Sequence, residues 1–232
     1  RRLRLQFVID DTLGAHKGPK VFGLGTHVDA VRSTRKTKVF TFGHVWVTCA
    51  LVVTVPFSAR PFAVPLLFRL YRSKKECAAH GGAYRKKTEQ ARELVERLLA
   101  WLPETTFDLL LDSGYVTRTV LHGLPERVRV LGAMNARAAL SEVGGRRLRN
   151  GRHSPKGAPL PSCAAWAEDA ARPWQTVAAH VYGGLRTMQI KTEVVQWWSV
   201  LGARAVRVVL VRCTTGALPL RAFLCTDPEA EV

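Results

Sequence analysis

Two adjacent carboxylates follow an apolar run near the start of the chain. In the stretch "FVIDDTLG", residues 7–9 are apolar and lead directly into Asp10 and Asp11. The pattern returns in "TFDLLLDSGYV", where three leucines precede Asp112. Burying a carboxylate is costly unless it is paired or bound to a metal ion. Two acids that each follow a buried strand could therefore hold a metal together.

The chemistry of such a site would be that of hard oxygen ligands. Ligands in open α/β sheets gather at the carboxyl ends of the strands, and carboxylates there suit Mg²⁺ or Mn²⁺. Two such ions ~3.5–4 Å apart can activate a water or a 3′-hydroxyl in phosphodiester chemistry. The alternative is that each aspartate forms a turn or caps a helix, as aspartates at strand ends often do. The residues alone leave both possibilities open.

The elements that would position these acids can be predicted from apolar patterning. A first strand is expected from Leu5 to Thr12, and "KVFTFGHVWVTCALVVTV" predicts one or two buried strands. The clearest helix has Thr88 as its N-cap and a leucine at every fourth position from 94 to 102. Residues 106–140 then follow the order strand, helix, strand, which favours a parallel or mixed α/β sheet.

The second half of the chain changes in composition. Residues 141–162 are rich in Gly, Pro and Arg, which predicts a long exposed loop or the start of an insertion. Strand-like alternation resumes after residue 175. The pair Trp197-Trp198 could pack in the core, or Trp198 could stack on a base.

Charge indicates the partner. The chain of 232 residues carries 35 Lys and Arg against 18 Asp and Glu, a net charge of +17, which favours nucleic acid. Residues 69–87 hold seven basic side chains and residues 146–156 hold five without an acid. Both segments are expected to contact DNA phosphates. The side chains chosen for that role are Arg72, Lys74, Lys75, Lys86, Lys87, Arg146, Arg147, Arg149 and Arg152.

Composition also excludes several classes. Hydrophobic residues make up 47% of the chain, so it is expected to be globular rather than disordered. No apolar run reaches the ~18 residues of a membrane span. The five cysteines are scattered without a CxxC pair, which predicts free thiols in a reducing cytoplasm.

Three stretches together resemble a known family. They are "FVIDDTLGAHKGPKVFGLGTHVD", "VFTFGHVWVTCALVV" and "LLLDSGYV". In this combination the chain is similar to the DDE-type transposases of bacterial insertion sequences, and more narrowly to the DDE superfamily endonucleases. The resemblance runs from Leu5 to about Asp227 and is strongest in the first 50 residues and around Asp112.

The resemblance implies a fold and a set of acids. The fold is an α/β, RNase H-like mixed sheet flanked by helices, with a mostly β insertion between the second and third acidic positions. The first acid is the one followed by Thr, which selects Asp11 with Asp10 as its neighbour, and the second is Asp112. The third is a Glu in a Tyr-x-x-Arg-Trp-x-x-Glu context that is not found up to Val232. We therefore expect it beyond that residue, with Glu193 as the only interior candidate.

The resemblance also implies an activity, partners and domains. We expect a core over 1–140, an insertion over 141–225, and in 226–232 the start of a segment leading to the catalytic helix. The expected function is Mg²⁺- or Mn²⁺-dependent cleavage and transfer of double-stranded DNA by a bacterial, cytoplasmic, nucleoid-associated protein, as a homodimer on paired ends and not at a membrane. The alternatives are a DNA-binding remnant without catalysis and an RNase H-like nuclease without strand transfer.

Two further residues are candidates for the site. His44 could lie near the metal and contact phosphate, and Tyr115 could contact a base or a phosphate.

Overall fold

The strands and helices of this protein fall into two units, residues 1–105 and residues 106–232. The computed structural model describes residues 4–18, 20–34, 36–58, 60–181, 184–214 and 219–231. The boundary between the units at residues 105 and 106 differs from the one predicted at residue 140.

The first unit is an antiparallel sheet built around one long strand. Its elements are β1 (Leu5–Ala15), β2 (Gly25–Val28), β3 (Phe40–Val53), β4 (Phe62–Tyr71), α1 (Lys74–His80) and α2 (Lys87–Trp101). Strand β1 pairs along one edge of β3, while β2 and β4 pair in succession along the other. One face of β3 is fully buried through Val45, Val47 and Cys49. Helix α2 contacts β3 and β4, and its leucines at 94 and 98 are equally buried.

Three predictions for this unit are corrected by the structure. Strand β1 does not end at Thr12 but continues to Ala15, because its backbone stays paired with β3 as far as Gly43. Helix α2 begins one residue before Thr88, with Lys86 as its N-cap, because the Glu89 carboxylate accepts a hydrogen bond of 2.7 Å from the Lys86 amide. Residues 72–87, whose basic sequence "RSKKECAAHGGAYRKK" predicts a loop, contain helix α1.

The second unit contains the mixed sheet. Its elements are β5 (Phe107–Leu111), α3 (Arg118–Leu121), β6 (Val128–Met134), β7 (Arg146–Arg147), β8 (His153–Ser154), α4 (Cys163–Glu168), β9 (Gln175–Val181), β10 (Gly184–Gln196), α5 (Trp198–Leu201), β11 (Ala205–Cys213) and β12 (Arg221–Cys225). Strands β5 and β6 are parallel and joined through α3. The order then continues β6-β12-β11-β10-β9 with antiparallel pairing. The α/β class with a mixed sheet is confirmed.

The stretch predicted as an insertion continues this sheet. Strand β12 lies between β6 and β11, so β9 to β11 extend the same layer as β5 and β6. Strands β7 and β8 form a separate two-stranded ribbon. Its base is tied to β10, because Ser141 and Gln196 exchange backbone hydrogen bonds of 2.9 and 2.8 Å.

Two predictions from composition can also be checked. All five cysteines are free and buried, as expected. Among the described residues, no helix is both long enough and apolar enough to cross a membrane.

Candidate active site and nucleic-acid contacts

Asp10 and Asp11 lie on opposite faces of β1. Side chains alternate along a strand, and here Phe7 and Ile9 are buried, Asp10 is exposed and the Asp11 side chain is 28% exposed. Asp11 therefore lies on the face of the sheet that helix α2 covers. Asp10 faces away, and its carboxylate accepts a hydrogen bond of 2.8 Å from the Asp11 amide. This geometry separates Asp10 from the proposed ligand set, and both acids lie within the strand rather than at its end.

Lys87 holds the Asp11 carboxylate. The lysine Nζ donates to Asp11 Oδ2 at 2.6 Å, across 76 residues of sequence. Lys87 is the first residue of α2, so the packing of that helix on the sheet positions its side chain. The sequence assigned Lys87 to DNA contacts, which stays a prediction, and in the structure its ammonium group contacts Asp11. The sequence could not identify Asp11 as the partner of Lys87, because the contact depends on how helix α2 packs on the sheet.

The Asp11–Lys87 pair borders a cleft of about 390 Å³, whose wall includes Thr12, Asp29 and Arg32. Asp29 was missed by the sequence analysis because it ends no long apolar run. Its carboxylate accepts hydrogen bonds from the amides of Arg32 and Val31 at 3.0 and 3.1 Å. The hydrogen bond from the Arg32 amide is the main reason why the pKa of Asp29 is lowered. Asp29 thus shapes the loop that forms this wall.

His27 is a second residue that the sequence did not single out. It is 9% exposed, its ring lies 5.8 Å from Tyr71, and within the described residues its Nε2 has no hydrogen-bond partner. Burial lowers the pKa of His27, and the charges of Lys87 and His44 lower it further, whereas Asp11 raises it. The imidazole is therefore neutral at pH 7, and the ammonium of Lys87 is a cation in direct contact with Asp11.

Asp112 directly follows β5 and is exposed. Its Oδ1 accepts hydrogen bonds from the amides of Gly114 and Tyr115 at 2.9 and 3.2 Å. The carboxylate thus holds the turn after the strand, which is the structural role considered for it. The hydrogen bonds also fix the direction of the carboxylate, and a turn-forming aspartate can still bind a cation. Asp11 and Asp112 belong to different units, and their proximity stays a prediction.

Three aromatic or imidazole candidates have structural contacts. Tyr115 is 2% exposed and lies in the core, and its suggested contact with a base or phosphate stays a prediction. His44 is half-buried, and its Nε2 lies 2.8 Å from the carbonyl oxygen of Phe22, to which it donates. Trp198 is half-buried as the first residue of α5, beside Trp197 at 8% exposure. Base stacking by Trp198 is left as a prediction.

Glu193 lies far from Asp112 within the second unit. It belongs to β10, which is four strands from β5 in the sheet order. At ~4.8 Å between neighbouring strands, this separation is roughly 19 Å. Its carboxylate also accepts a short hydrogen bond from the guanidinium of Arg172. Glu193 therefore does not share a metal site with Asp112.

The donors present agree in kind with a magnesium or manganese site. Asp11 and Asp112 offer only carboxylate oxygens, the ligands that these hard cations prefer. Asp11 is partly exposed at the edge of the cleft, and its counter-ion is a cation that a metal could replace. Within the part of the chain that the structure describes, no group of three or more His, Cys, Asp or Glu residues could hold a metal ion. The described residues thus supply individual ligands rather than a complete cluster.

The basic segment at residues 69–87, which we call the α1–α2 segment, makes many internal contacts. Arg72 donates a short hydrogen bond to Glu76 and one of 2.7 Å to the carbonyl of Gly81. The ammonium of Lys74 lies 5.3 Å from the centre of the Tyr84 ring. Lys75 and Lys86 are exposed. Of the five side chains predicted here to contact DNA, Arg72 and Lys87 are held by acids of the protein itself.

The second basic segment, residues 146–156, includes the β7–β8 ribbon and is named after it. Four arginines in it are exposed and Lys156 is half-buried. Within the described residues, none of these five cations forms an ion pair with an acid; they are Arg146, Arg147, Arg149, Arg152 and Lys156. The tip is a turn in which the Leu148 amide donates to the carbonyl of Arg152 at 2.8 Å. The ribbon therefore presents a concentrated positive charge to solvent.

Comparison with known proteins identifies the family of this chain. The model of one family, described as DDE superfamily endonuclease, matches residues 1–198. None of the curated proteins matches the chain. The family match includes both Asp11 and Asp112 and extends over most of the 232 residues. The protein therefore belongs to the DDE superfamily endonucleases, a family of nuclease and transposase type.

Proposed function

We propose that this protein is the catalytic core of a DNA transposase that cleaves and transfers DNA strands at the ends of an insertion sequence. The family match supports nuclease or transposase chemistry on DNA. The observation that carries the proposal is Asp11, a partly exposed carboxylate in the cleft wall, in the motif that resembles the first acid of DDE transposases.

In this proposal Asp11 and Asp112 hold Mg²⁺ or Mn²⁺. The metal would supply stabilisation of the leaving oxygen and activation of a water or 3′-hydroxyl. Strand β1 fixes Asp11, because its backbone is paired with β3 on both sides of that residue. The turn amides fix Asp112 through its Oδ1. Asp10 and Glu193 have no ligand role in this arrangement.

The β7–β8 ribbon would bind the DNA backbone. Its four arginines are exposed and within the described residues have no acidic partner, so they can form ion pairs with phosphates without first breaking internal ones. Such contacts place the duplex without distinguishing its sequence.

We further propose that a homodimer acts on paired transposon ends in the bacterial cytoplasm, at the nucleoid, with double-stranded DNA as both donor and target.

The metal site can be tested by Mn²⁺ binding, measured by electron paramagnetic resonance on the 232-residue chain. Asp11→Asn and Asp112→Asn should each weaken binding about tenfold or more, because each removes a negatively charged ligand. Asp10→Asn is the matched control, since it removes the same charge from the adjacent residue on the opposite face, and it should leave binding nearly unchanged. Equal binding by all four proteins would refute the proposed site.

Strand cleavage is a second test. Mg²⁺-dependent nicking of a duplex, where detected, should be abolished in Asp11→Ala and partly retained in Asp10→Asn. Because the described residues supply no group of three or more ligands, the site should bind the metal weakly and cleave poorly. We therefore expect the 232-residue chain to bind DNA firmly and to nick it slowly.

One observation favours a second candidate function, DNA binding without catalysis. The Asp11–Lys87 ion pair is of the kind that also serves only to brace a helix against a sheet. In that case Asp11→Asn would lower the melting temperature and leave both Mn²⁺ binding and DNA binding unchanged. The same Mn²⁺ titration therefore decides between the two functions.

A further inference from the structure

Lys87 and a metal ion would compete for one carboxylate. The lysine ammonium lies 2.6 Å from Asp11 Oδ2, whereas Mg²⁺ binds carboxylate oxygen at about 2.1 Å. Two cations on one carboxylate repel each other at such short distances. A metal bound to Asp11 would therefore weaken the contact between the carboxylate and the ammonium of Lys87.

The side chain of Lys87 lies between an aromatic ring and solvent. Lys87 is 36% exposed and its ammonium lies 5.4 Å from the centre of the Tyr71 ring. It follows Lys86, which is exposed, and the two stand at the N-terminal end of the 15-residue helix α2. A lysine side chain is flexible and can turn toward solvent while its backbone stays in the helix. Once the Lys87 side chain is turned toward solvent, its ammonium can form an ion pair with a phosphate of bound DNA.

We propose that Lys87 is a resident counter-cation of Asp11 that a metal displaces and that then binds a phosphate of the DNA. This inference rests on the proposed metal site at Asp11 and adds an order of events to it. In the metal-free protein Lys87 neutralises the carboxylate inside the cleft. In the metal-bound protein it becomes an additional phosphate contact, so that the metal and DNA strengthen each other's binding.

The first test is Mn²⁺ affinity in Lys87→Met, which keeps the length of the side chain and removes its charge. Because the competitor is gone, Mn²⁺ should bind about tenfold more tightly than to the unmodified protein. Lys87→Arg should restore the weaker binding. Lys86→Met is the matched control, a neighbouring lysine without contact to Asp11, and should leave the affinity unchanged.

The second test is the salt dependence of DNA binding with and without the metal. In EDTA, Lys87→Met and the unmodified protein should have the same slope of log affinity against log salt. In a fixed concentration of Mg²⁺, the slope of the unmodified protein should exceed that of the variant by about 0.9, the value of one phosphate contact. Lys86→Met should lower the slope in both conditions if Lys86 contacts phosphate.

The outcomes separate this inference from the metal site itself. If Asp11→Asn abolishes Mn²⁺ binding while a folded Lys87→Met shows unchanged or weaker affinity, Lys87 is only a structural brace and the inference is wrong. If Asp11→Asn binds Mn²⁺ as well as the unmodified protein, the proposed metal site fails first. Circular dichroism and the melting temperature establish that each variant is folded.

Discussion

The α1–α2 segment and the β7–β8 ribbon look alike in sequence and differ in structure. Residues 69–87 carry seven basic side chains against Glu76, and residues 146–156 carry five against no acid. In the α1–α2 segment the arginines at 69, 72 and 85 bind Glu93 or Glu76, and Lys87 binds Asp11. In the ribbon no such ion pair is present among the described residues.

The difference shows that the cations of a basic run can already be paired with acids of the protein itself. A cation that already has an acidic partner must give up that partner before it can neutralise a phosphate. The acids that neutralise the α1–α2 segment come mostly from other elements, since Asp11 lies in β1 and Glu93 in the middle of α2. The cations of the ribbon form no ion pair with an acid among the described residues, so their charge is available to a ligand.

The largest effect is expected from removing the charges of the ribbon. Replacing Arg146, Arg147 and Arg149 by Ala should reduce the salt slope of duplex binding by about 0.9 for each phosphate that is no longer neutralised, about 2.7 in all. The measurement is fluorescence anisotropy across a range of KCl concentrations. The matched variant is Arg69→Ala with Arg85→Ala, which removes two cations already bound to Glu93 and should leave the slope nearly unchanged. Equal decreases of the slope in the two variants would abolish the distinction between the segments.

A smaller effect is expected when the ribbon is distorted without a change of charge. A Cβ atom at Gly157 would lie 2.1 Å from the backbone carbonyl oxygen of Glu142. Gly157→Ala must therefore displace the base of the ribbon, at a cost of about 1–3 kcal/mol. We expect weaker DNA binding with little change in melting of the sheet, measured by anisotropy and thermal unfolding. Gly184→Ala is a control, because a Cβ there meets no atom within 4 Å. Unaltered DNA binding would mean that charge alone matters and the shape of the ribbon does not.

The internal pairing of the α1–α2 segment should be visible in stability. Glu93 accepts hydrogen bonds from Arg69 at 2.8 Å and from Arg85 at 2.9 Å, and the bond from Arg69 is the main cause that lowers the pKa of Glu93. Glu93→Gln should reduce the free energy of unfolding by about 1 kcal/mol or less, because the pair is partly exposed.

The pH dependence follows from the direction of that shift. A carboxyl group whose pKa is lower in the folded state stabilises the protein above its unfolded pKa near 4.5, and the contribution disappears as the pH falls through the lowered value. The difference in unfolding free energy between Glu93→Gln and the unmodified protein should thus have its largest value at pH 7 and disappear at acidic pH. Glu96→Gln is the control, because it removes a carboxylate from the same helix and keeps the ion pairs of Glu93. It should lower the free energy of unfolding less than Glu93→Gln does.

The smallest effect is expected on the titration of His27. Its pKa is lowered by burial and then by the charge of Lys87. Because the unfolded chain binds a proton more readily near pH 6.5, stability should increase with pH between the lowered pKa and that value. In Lys87→Met the pKa should rise toward its ordinary value, as measured by NMR of the ring protons. Arg147→Met should leave it unchanged, since the charge of the ribbon is directed to solvent.

Much of the architecture was predictable from local patterning. Long β-branched runs predicted β3, the leucine spacing predicted α2, and the order strand, helix, strand predicted the parallel pair of β5 and β6. These three predictions are correct because side-chain periodicity and backbone preference act over a few residues. The boundaries were less well predicted, as in the three additional residues of β1. Their positions depend on pairing with β3, which lies far away in the sequence.

The sequence by itself determined which side chains could do chemistry, and only the tertiary structure decided their partners. "IDDT" and "LLLDSGY" identify Asp11 and Asp112, and alternation along β1 already separates Asp10 from Asp11. The contact between Asp11 and Lys87 spans 76 residues and exists because α2 packs across the sheet. The burial of Tyr115 and the distance of Glu193 from Asp112 could not be predicted for the same reason, since burial and strand order are properties of the assembled sheet. Local chemistry is encoded by neighbours in the chain, whereas charge compensation depends on neighbours in space.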